Sequence, residues 1–289
     1  MSQRSPITAP PARPPRYSLV QIAEDAQLSP EALAAGWTFN PELCGHSRGG
    51  VVQLDCTGDN DPRNPAAHAP IVEGDPFIVW AADECSTFGF QARDWVGRAQ
   101  RALRASESYH VAKTLWTGGG LGLAQRHLND VASDGLTGGT GVDVVTALGL
   151  VEEGLAYYLR GQSGMVHVTM SFLEHAAAAY AIYRDGNVWR TASGHLVVAD
   201  AGYDGSAPGG APATTTQWIY GTSPIAIGLG PVNVLPETFQ DAKDQAMALD
   251  RTVNNVTVYA DRLATWVWDE CAHVGAQVAI PVGQVAIGS

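Results

Sequence analysis

The chain has 289 residues, which at roughly 100–200 residues per domain predicts one elaborated domain or two modest ones. Its 17 basic against 29 acidic side chains give a formal charge of −12 at pH 7. That charge repels a polyanion and no dense Lys/Arg cluster offsets it, which argues against nucleic-acid binding and against a polybasic membrane-surface role.

At 45 % hydrophobic the chain can bury a sizeable core, yet no run approaches the roughly 18 apolar residues of a membrane span. The opening residues, MSQRSPITAPPARPPR, carry charge and proline where a signal peptide has an apolar stretch. Charged residues make up only 16 %, against about 25 % in typical globular chains. Low charge fits a surface largely covered by copies of the same chain. Four cysteines, Cys44, Cys56, Cys85 and Cys271, are too few and too scattered for a disulfide scaffold. Cys44, His46 and Cys56 offer three zinc ligands without a fourth at conventional spacing. Buried reduced thiols in a protein assembled in the cytosol are the expectation.

Residues 1–16 hold five prolines and no apolar periodicity, so they read as an extended arm. Residues 20–35 predict one or two short helices, with Ser29 as N-cap and Pro30 at the first helical position. From Gly36 to Pro76 the text is rich in Gly, Asp, Asn and Pro, including the turn-forming run Gly58–Pro65. Strand-like pieces at Val51–Leu54 and Phe77–Ala81 flank that run, which reads as a long two-stranded excursion around a loop. Such a hairpin has little core and needs a surface to rest on.

Residues 91–116 predict a long helix with Trp95, Val96, Ala99, Leu103, Ala112 and Leu115 mostly on one stripe, ending at Gly118-Gly119-Gly120. Further helices are expected at 142–160, stopped by Gly161, and at Ser171–Tyr183, with a buried strand at Met165–Thr169 between them. The chain then turns β-rich. Asp185-Gly186-Asn187 marks a hairpin between 180–184 and 188–191, and strands follow at 195–200, 217–222, 224–229 and 231–234. Asn255–Trp268 alternates as one long strand, with His273–Val282 as its antiparallel partner or neighbour. Helices clustered in mid-chain with strands before and after give an α+β class.

No phosphate-binding, nucleophile-elbow or metalloprotease motif occurs. The tripeptide Asp-Glu-Cys occurs at 83–85 and at 269–271, the second with His273 close by. A Cys271–His273 nucleophile is one reading and structural cysteines the stronger one. Glu174 and His175, with Ser171 a turn earlier, read as an ordinary capped helix. His167, in an apolar strand, reads as a hydrogen-bonded core histidine. The eight tryptophans are spread over many segments, as core and interface anchors are. No catalytic, cofactor-binding or metal-binding constellation emerges, and no enzyme activity is expected.

The order of these parts resembles the major capsid proteins of tailed bacteriophages, which share the Hong Kong 97 fold. The stretches from Arg98-Ala99 to Thr117-Gly118, from Val188-Trp189 to Gly194-His195, and from Asp250-Arg251 to Asp261-Arg262 are similar to text of such proteins. The resemblance implies an N-terminal arm at 1–40 and an extended loop at 41–88. It implies a spine helix and peripheral domain at 89–140, an axial domain at 141–250, and long closing strands of the peripheral domain at 251–289. It implies a structural subunit that assembles with itself as hexamers and pentamers into the icosahedral head of a virion, put together in the host cytoplasm. A decoration protein, a scaffold and a portal are the partners it suggests, with no sequence-specific nucleic-acid binding and no membrane. An encapsulin-type shell and a head–tail connector or tail protein are the alternatives. In the founding member a lysine of the extended loop bonds to an asparagine of a neighbour. Lys113 and Lys243 are the only lysines here, so residues 1–112 cannot form that crosslink.

Overall fold

Local chemistry sets the first elements as the sequence predicts. In this computed structural model, which describes residues 16–41, 71–86, 94–131, 133–210, 215–236, 249–250 and 255–280, helix α1 spans Leu19–Ile22 and α2 spans Pro30–Ala35. Ser29 caps α2 by accepting from the Ala32 amide, and Pro30 sits where no intrahelical donor is needed. Between them the two-residue strand β1 (Glu24–Asp25) forms; β2 (Trp37–Phe39) and β3 (Val72–Gly74) then pair antiparallel. The expectations placed on residues 1–15, on Val51–Leu54, on Gly58–Pro65 and on Cys44, His46 and Cys56 lie outside the described residues.

Strand β4 (Phe77–Ser86) leads to the long helix α3 (Trp95–Thr117), about 34 Å at 1.5 Å per residue. Asp94 caps its N-terminus by accepting from the Gly97 amide, and Gly118 closes it in the left-handed conformation at φ 70°. After β5 (Asp134–Gly135) comes α4 (Val144–Tyr158), which buries Ala147, Leu148, Val151 and Leu155 along one face. Strand β6 (Met165–Val168) and helix α5 (Met170–Ala178) follow. This helix stops five residues short of the expected end: Tyr180 turns left-handed at φ 56°, and Ile182 enters the core at the start of β7 (Ile182–Asp185). Thr169, not Ser171, caps it by accepting from the Phe172 amide.

The remaining strands are β8 (Val188–Thr191), β9 (Leu196–Ala199), β10 (Gln217–Thr222), β11 (Ala226–Leu229), β12 (Asn233–Leu235), β13 (Leu249–Asp250), β14 (Asn255–Val267) and β15 (His273–Val278). Gly186 supplies the positive φ, 59°, that the tight β7–β8 turn requires.

Two main sheets result. In the first, β14 is the axis: β4 pairs along it from Asn255 to Ala264, while β13, β12 and β11 share its other edge in succession. β1 extends this sheet parallel to β11. The second sheet runs β5-β15-β10-β6-β9-β8-β7. The expected partnership of 255–268 with 273–282 is corrected here, because β15 pairs with β10 and β5 and leaves β14 to the first sheet. Residues 273–278 of the expected closing strands therefore belong with the second sheet. Its wide ladder of six pairs between β10 and β15 outweighs the local continuity of β14 into β15.

Helix α3 joins the two sheets. Its N-terminal half lays Trp95, Ala99 and Leu103 on the inner side of β4 and β14, among Phe77, Val79, Val256, Val258, Ala260 and Trp266. Its C-terminal end drives Trp116 against the second sheet, with ring centroids 4.8 Å from Tyr203 and 5.0 Å from Tyr220. Helices α4 and α5 cover the opposite side of the second sheet in a separate apolar cluster.

Candidate functional site

The β2–β3 pair is pinned by a buried polar network that no local pattern announces. Gln125 and the Asp75 backbone exchange two hydrogen bonds, at 2.7 and 2.8 Å. The Thr265 hydroxyl donates to the Asp75 carbonyl at 3.1 Å and accepts from the Trp37 indole at 2.9 Å. The Asp75 carboxylate accepts from the Ala124 amide. A Cβ at Gly74 would overlap the Trp37 ring, so glycine is what allows β2 and β3 to close. Nearby, the Trp266 indole donates to the Arg126 carbonyl, while Glu270 accepts from the Arg126 amide and pairs with its guanidinium at 3.5 Å. Burial raises the Glu270 carboxyl above its ordinary value, against the lowering effect of Arg126. Trp37, Gly74 and Asp75 are thus fixed to the first sheet.

Polar groups also tie α3 to both sheets. Glu107, facing inward, accepts from Arg262 at 3.0 Å, and Arg262 in turn donates to the Gly230 carbonyl. Asp200 accepts from the Leu19 amide of α1, the Ser108 hydroxyl of α3 and the Gly202 amide. Burial raises the Asp200 carboxyl, although those donors pull the other way.

Among the described residues, those that sequence reasoning weighed for chemistry are not assembled into a reactive centre. Cys271 is disulfide-bonded, which corrects the expectation of a reduced thiol at this position and removes it as a free nucleophile. His273 Nε2 donates to the Leu128 carbonyl at 2.9 Å, and desolvation lowers its pKa to about 4. His167 is wholly buried, as expected of a core histidine, and burial pushes its pKa down to about 3. Thr222 uses its proton on the Ser223 carbonyl, so it accepts from His167 Nε2, and Nδ1 accepts from the Tyr203 hydroxyl. Glu174 and His175 point to solvent from α5. Among the described residues no group of three or more His, Cys, Asp or Glu side chains is placed to hold a metal. Nor is any helix there long and apolar enough to cross a membrane.

Surface is where the molecule departs from an ordinary self-contained domain. On the first sheet, the side away from α3 is covered at one end by α2 and the β2–β3 base, where Leu28 and Leu33 approach Gly228 and Trp37 approaches Thr265. Beyond Leu263 no described element covers that side. There Ile78 is 62 % exposed, Trp80 58 % and Leu235 49 %. Register places Leu235 and Ala82 opposite Tyr259, Trp80 opposite Asp261 and Ile78 opposite Leu263, so these side chains share one face. The Trp80 and Tyr259 rings lie 6.1 Å apart. A second exposed set, Tyr157, Tyr180 and Tyr183, lies on α4 and at the α5–β7 junction. Exposed large aromatics on rigid elements mark contact surfaces more often than solvent surfaces.

No protein-family model matches the chain, and no curated protein matches it in sequence. Solved structures do match in fold. A chain of Gordonia phage Cozz aligns over 98 % of this chain and 90 % of its own, at 9 % identity and a TM-score of 0.58. A chain from the capsid of the native GTA particle aligns over 98 % and 96 %, at 11 % identity and a TM-score of 0.58. A chain of the holo-SrpI encapsulin complex of Synechococcus elongatus PCC 7942 aligns over 98 % and 94 %, at 10 % identity and a TM-score of 0.56. The α+β fold expected from the sequence is therefore the one found: the chain has the Hong Kong 97-type capsid fold.

Proposed function

We propose that this chain, with its capsid-type fold, is the major shell subunit of a tailed-phage head. It assembles with itself as hexamers and pentamers into an icosahedral container for DNA, and it performs no catalysis. The observation that carries this reading is the bare aromatic face of β4 and β14 on a chain aligned over nearly its whole length with a capsid protein. A subunit of this kind draws its stability from shared interfaces, which accounts for large apolar side chains left in water on a rigid sheet. In this reading residues 1–40 are the arm, 41–88 the extended loop and 89–140 the spine with part of the peripheral domain. Residues 141–250 form the axial domain, which β15 joins. A charge of −12 per copy keeps packaged DNA from adhering to the shell wall. A portal, a separate scaffold and a decoration protein fit as partners, with assembly in the host cytoplasm and residence in the virion.

Negative-stain microscopy of the purified chain tests the proposal. Closed shells are the expected outcome; rings or tubes would assign a connector or tail role, and dispersed particles would overturn assembly altogether. The fold likeness to the encapsulin-complex chain favours a second reading, a cellular compartment. Shells from the native source that hold nuclease-protected DNA support the phage head, whereas shells filled with one protein cargo support the compartment. Because residues 1–112 contain no lysine, boiled and reduced particles should run as a single band at monomer mass. A ladder of multimers would refute non-covalent reinforcement.

A further inference from the structure

The bare half of the first sheet carries a specific chemistry besides being apolar. Its outward positions on β4, β12 and β14 are Ile78, Trp80, Leu235, Tyr259 and Leu263, edged by Glu84 and Asp261. No basic side chain shares these outward positions. Arg262 turns to the opposite side to meet Glu107, and Arg98 reaches Asp83 from α3. Glu84 is exposed and accepts from Asn255 at 2.7 Å, and Asp261 accepts a long bond from Asn233 at 3.3 Å. Among the described residues neither carboxylate is paired with a cation. Next to them an open cleft between α3 and β12 is lined by Val96, Gln100, Val232, Leu235 and Asp261.

The segment of this chain with the complementary chemistry is its own N-terminus. Residues 1–15 contain Pro6, Pro10, Pro11, Pro14 and Pro15 with Arg4 and Arg13, and no acidic residue. Proline-rich stretches favour the polyproline II form and bind aromatic-lined grooves at low entropic cost, with flanking arginines on carboxylates and ring faces. The segment starts from a fixed root. Arg16 donates to Asn187 at 2.8 Å, and the Tyr17 carbonyl accepts from the Ala199 amide. Fifteen residues at about 3.1 Å each reach roughly 45 Å beyond that root.

We infer that residues 1–15 dock on the Trp80–Tyr259 face, prolines against the two rings and arginines on Glu84 and Asp261. The inference requires association of copies but not that they close into a shell, so particle shape and arm docking are separable results.

The test uses the full chain in its assembled form. A benzophenone amino acid is placed at exposed Ala82 on the same face, the sample is irradiated, and crosslinked peptides are mapped by mass spectrometry. The expected crosslinks fall within residues 1–16. Trp80→Ala, at a position already half in water, should reduce their yield about tenfold, the loss of one aromatic anchor. Glu84→Arg should reduce it as well, and Arg13→Glu combined with Glu84→Arg should restore it. Crosslinks to any other segment, an unchanged yield in Trp80→Ala, or no crosslink in particles that do assemble would each overturn the docking. Closed shells with crosslinks elsewhere would overturn the docking and leave the shell reading standing. Rings or tubes with crosslinks to residues 1–16 would do the reverse.

Discussion

The two sheets of this molecule are closed to different degrees. The second is covered on both sides, by α4 and α5 on one and by the Trp116 end of α3 on the other. Its strand β6, Met-Val-His-Val, is buried at every position and shows no polar alternation, as a strand covered on both sides must be. Among the described residues, the first sheet is covered on one side and only half on the other. Its strand β14 alternates from Asn255 to Ala260, with Val256, Val258 and Ala260 inside and Thr257 and Tyr259 outside. The contrast teaches that one half of the chain is complete by itself while, among the described residues, the other half leaves large apolar side chains on an uncovered face. Apolar area on that face adds stability only where something covers it.

Two tryptophans make that contrast measurable. Trp116 is fully buried, lies tilted against Tyr203 and edge-to-face with Tyr220, and donates its indole proton to Ser206 at 2.9 Å. Trp116→Ala should cost the subunit about 3–5 kcal/mol in urea unfolding, the usual range for deleting a buried large aromatic. Trp80→Ala should change subunit stability by no more than about 0.5 kcal/mol, because the ring is already half in water, yet it should impair assembly. Equal losses in the two variants would break the comparison.

Acid provides the next largest effect and acts on the closed half. His167 and His273 are held neutral by burial, with pKa values of about 3 and about 4, below the ordinary value near 6.5. A depressed folded-state pKa means that the unfolded chain takes up the proton first as pH falls. The stability these groups allow is therefore complete above about pH 6.5 and declines as pH drops toward 4, on the order of 1 kcal/mol per pH unit for each histidine. Asp200 and Glu270, raised by burial, bind protons more readily in the folded state and offset part of the loss at the acid end. Urea midpoints measured from pH 7.5 to 4.5 should fall steadily, and less steeply in His167→Gln, which cannot titrate. A parallel slope in that variant would refute the assignment.

The pair that braces α3 against the open sheet should come third. Glu107→Leu leaves Arg262 largely buried with only the Gly230 carbonyl as acceptor, and should cost about 2–3 kcal/mol. Adding Arg262→Met should recover most of that cost, since two apolar side chains replace a desolvated ion pair. A double variant as unstable as the single one would show that the charge on Arg262 was not the source of the loss.

Much of this was legible in the sequence, and the failures share one cause. Helix α3 and its end at Gly118 followed from the spacing of Trp95, Ala99 and Leu103 and from three consecutive glycines. Ser29-Pro30 and Asp185-Gly186-Asn187 are local signals, and the structure honours them. What was not legible is which distant segments meet. Nothing local says that His273–Val278 joins β10 instead of β14, or that Gln125 holds Asp75 from 50 positions away. Helix α5 ends early although alanines run on to Ala179, because Ile182 must reach the core. Thr169 and Ser171 are both capping residue types, and only the path of the preceding strand selects Thr169. The bare face itself was half-visible: the alternation in β14 promised one polar side. Trp80 and Ile78 on that side look like core until their register is known.

The smallest effect separates a surface ion pair from a docking surface. Arg98 and Asp83 lie beside the open face, joined by two hydrogen bonds, with the guanidinium side chain half exposed and also stacked on Trp95. With Arg98 half exposed and Asp83 partly covered, the pair contributes about 1 kcal/mol, because water and salt reach the guanidinium and screen the attraction. Asp83→Asn should therefore shift the urea midpoint slightly at low salt and not at all in about 1 M NaCl, where the Debye length falls to about 3 Å. Glu84, the next residue, is also exposed but faces the aromatic side, where its charge meets no cation on the outward positions of the sheet. Glu84→Gln should leave the subunit's stability unchanged and weaken association at low salt. If the two neighbours exchanged these behaviours, the side of β4 that faces a partner would have been misassigned.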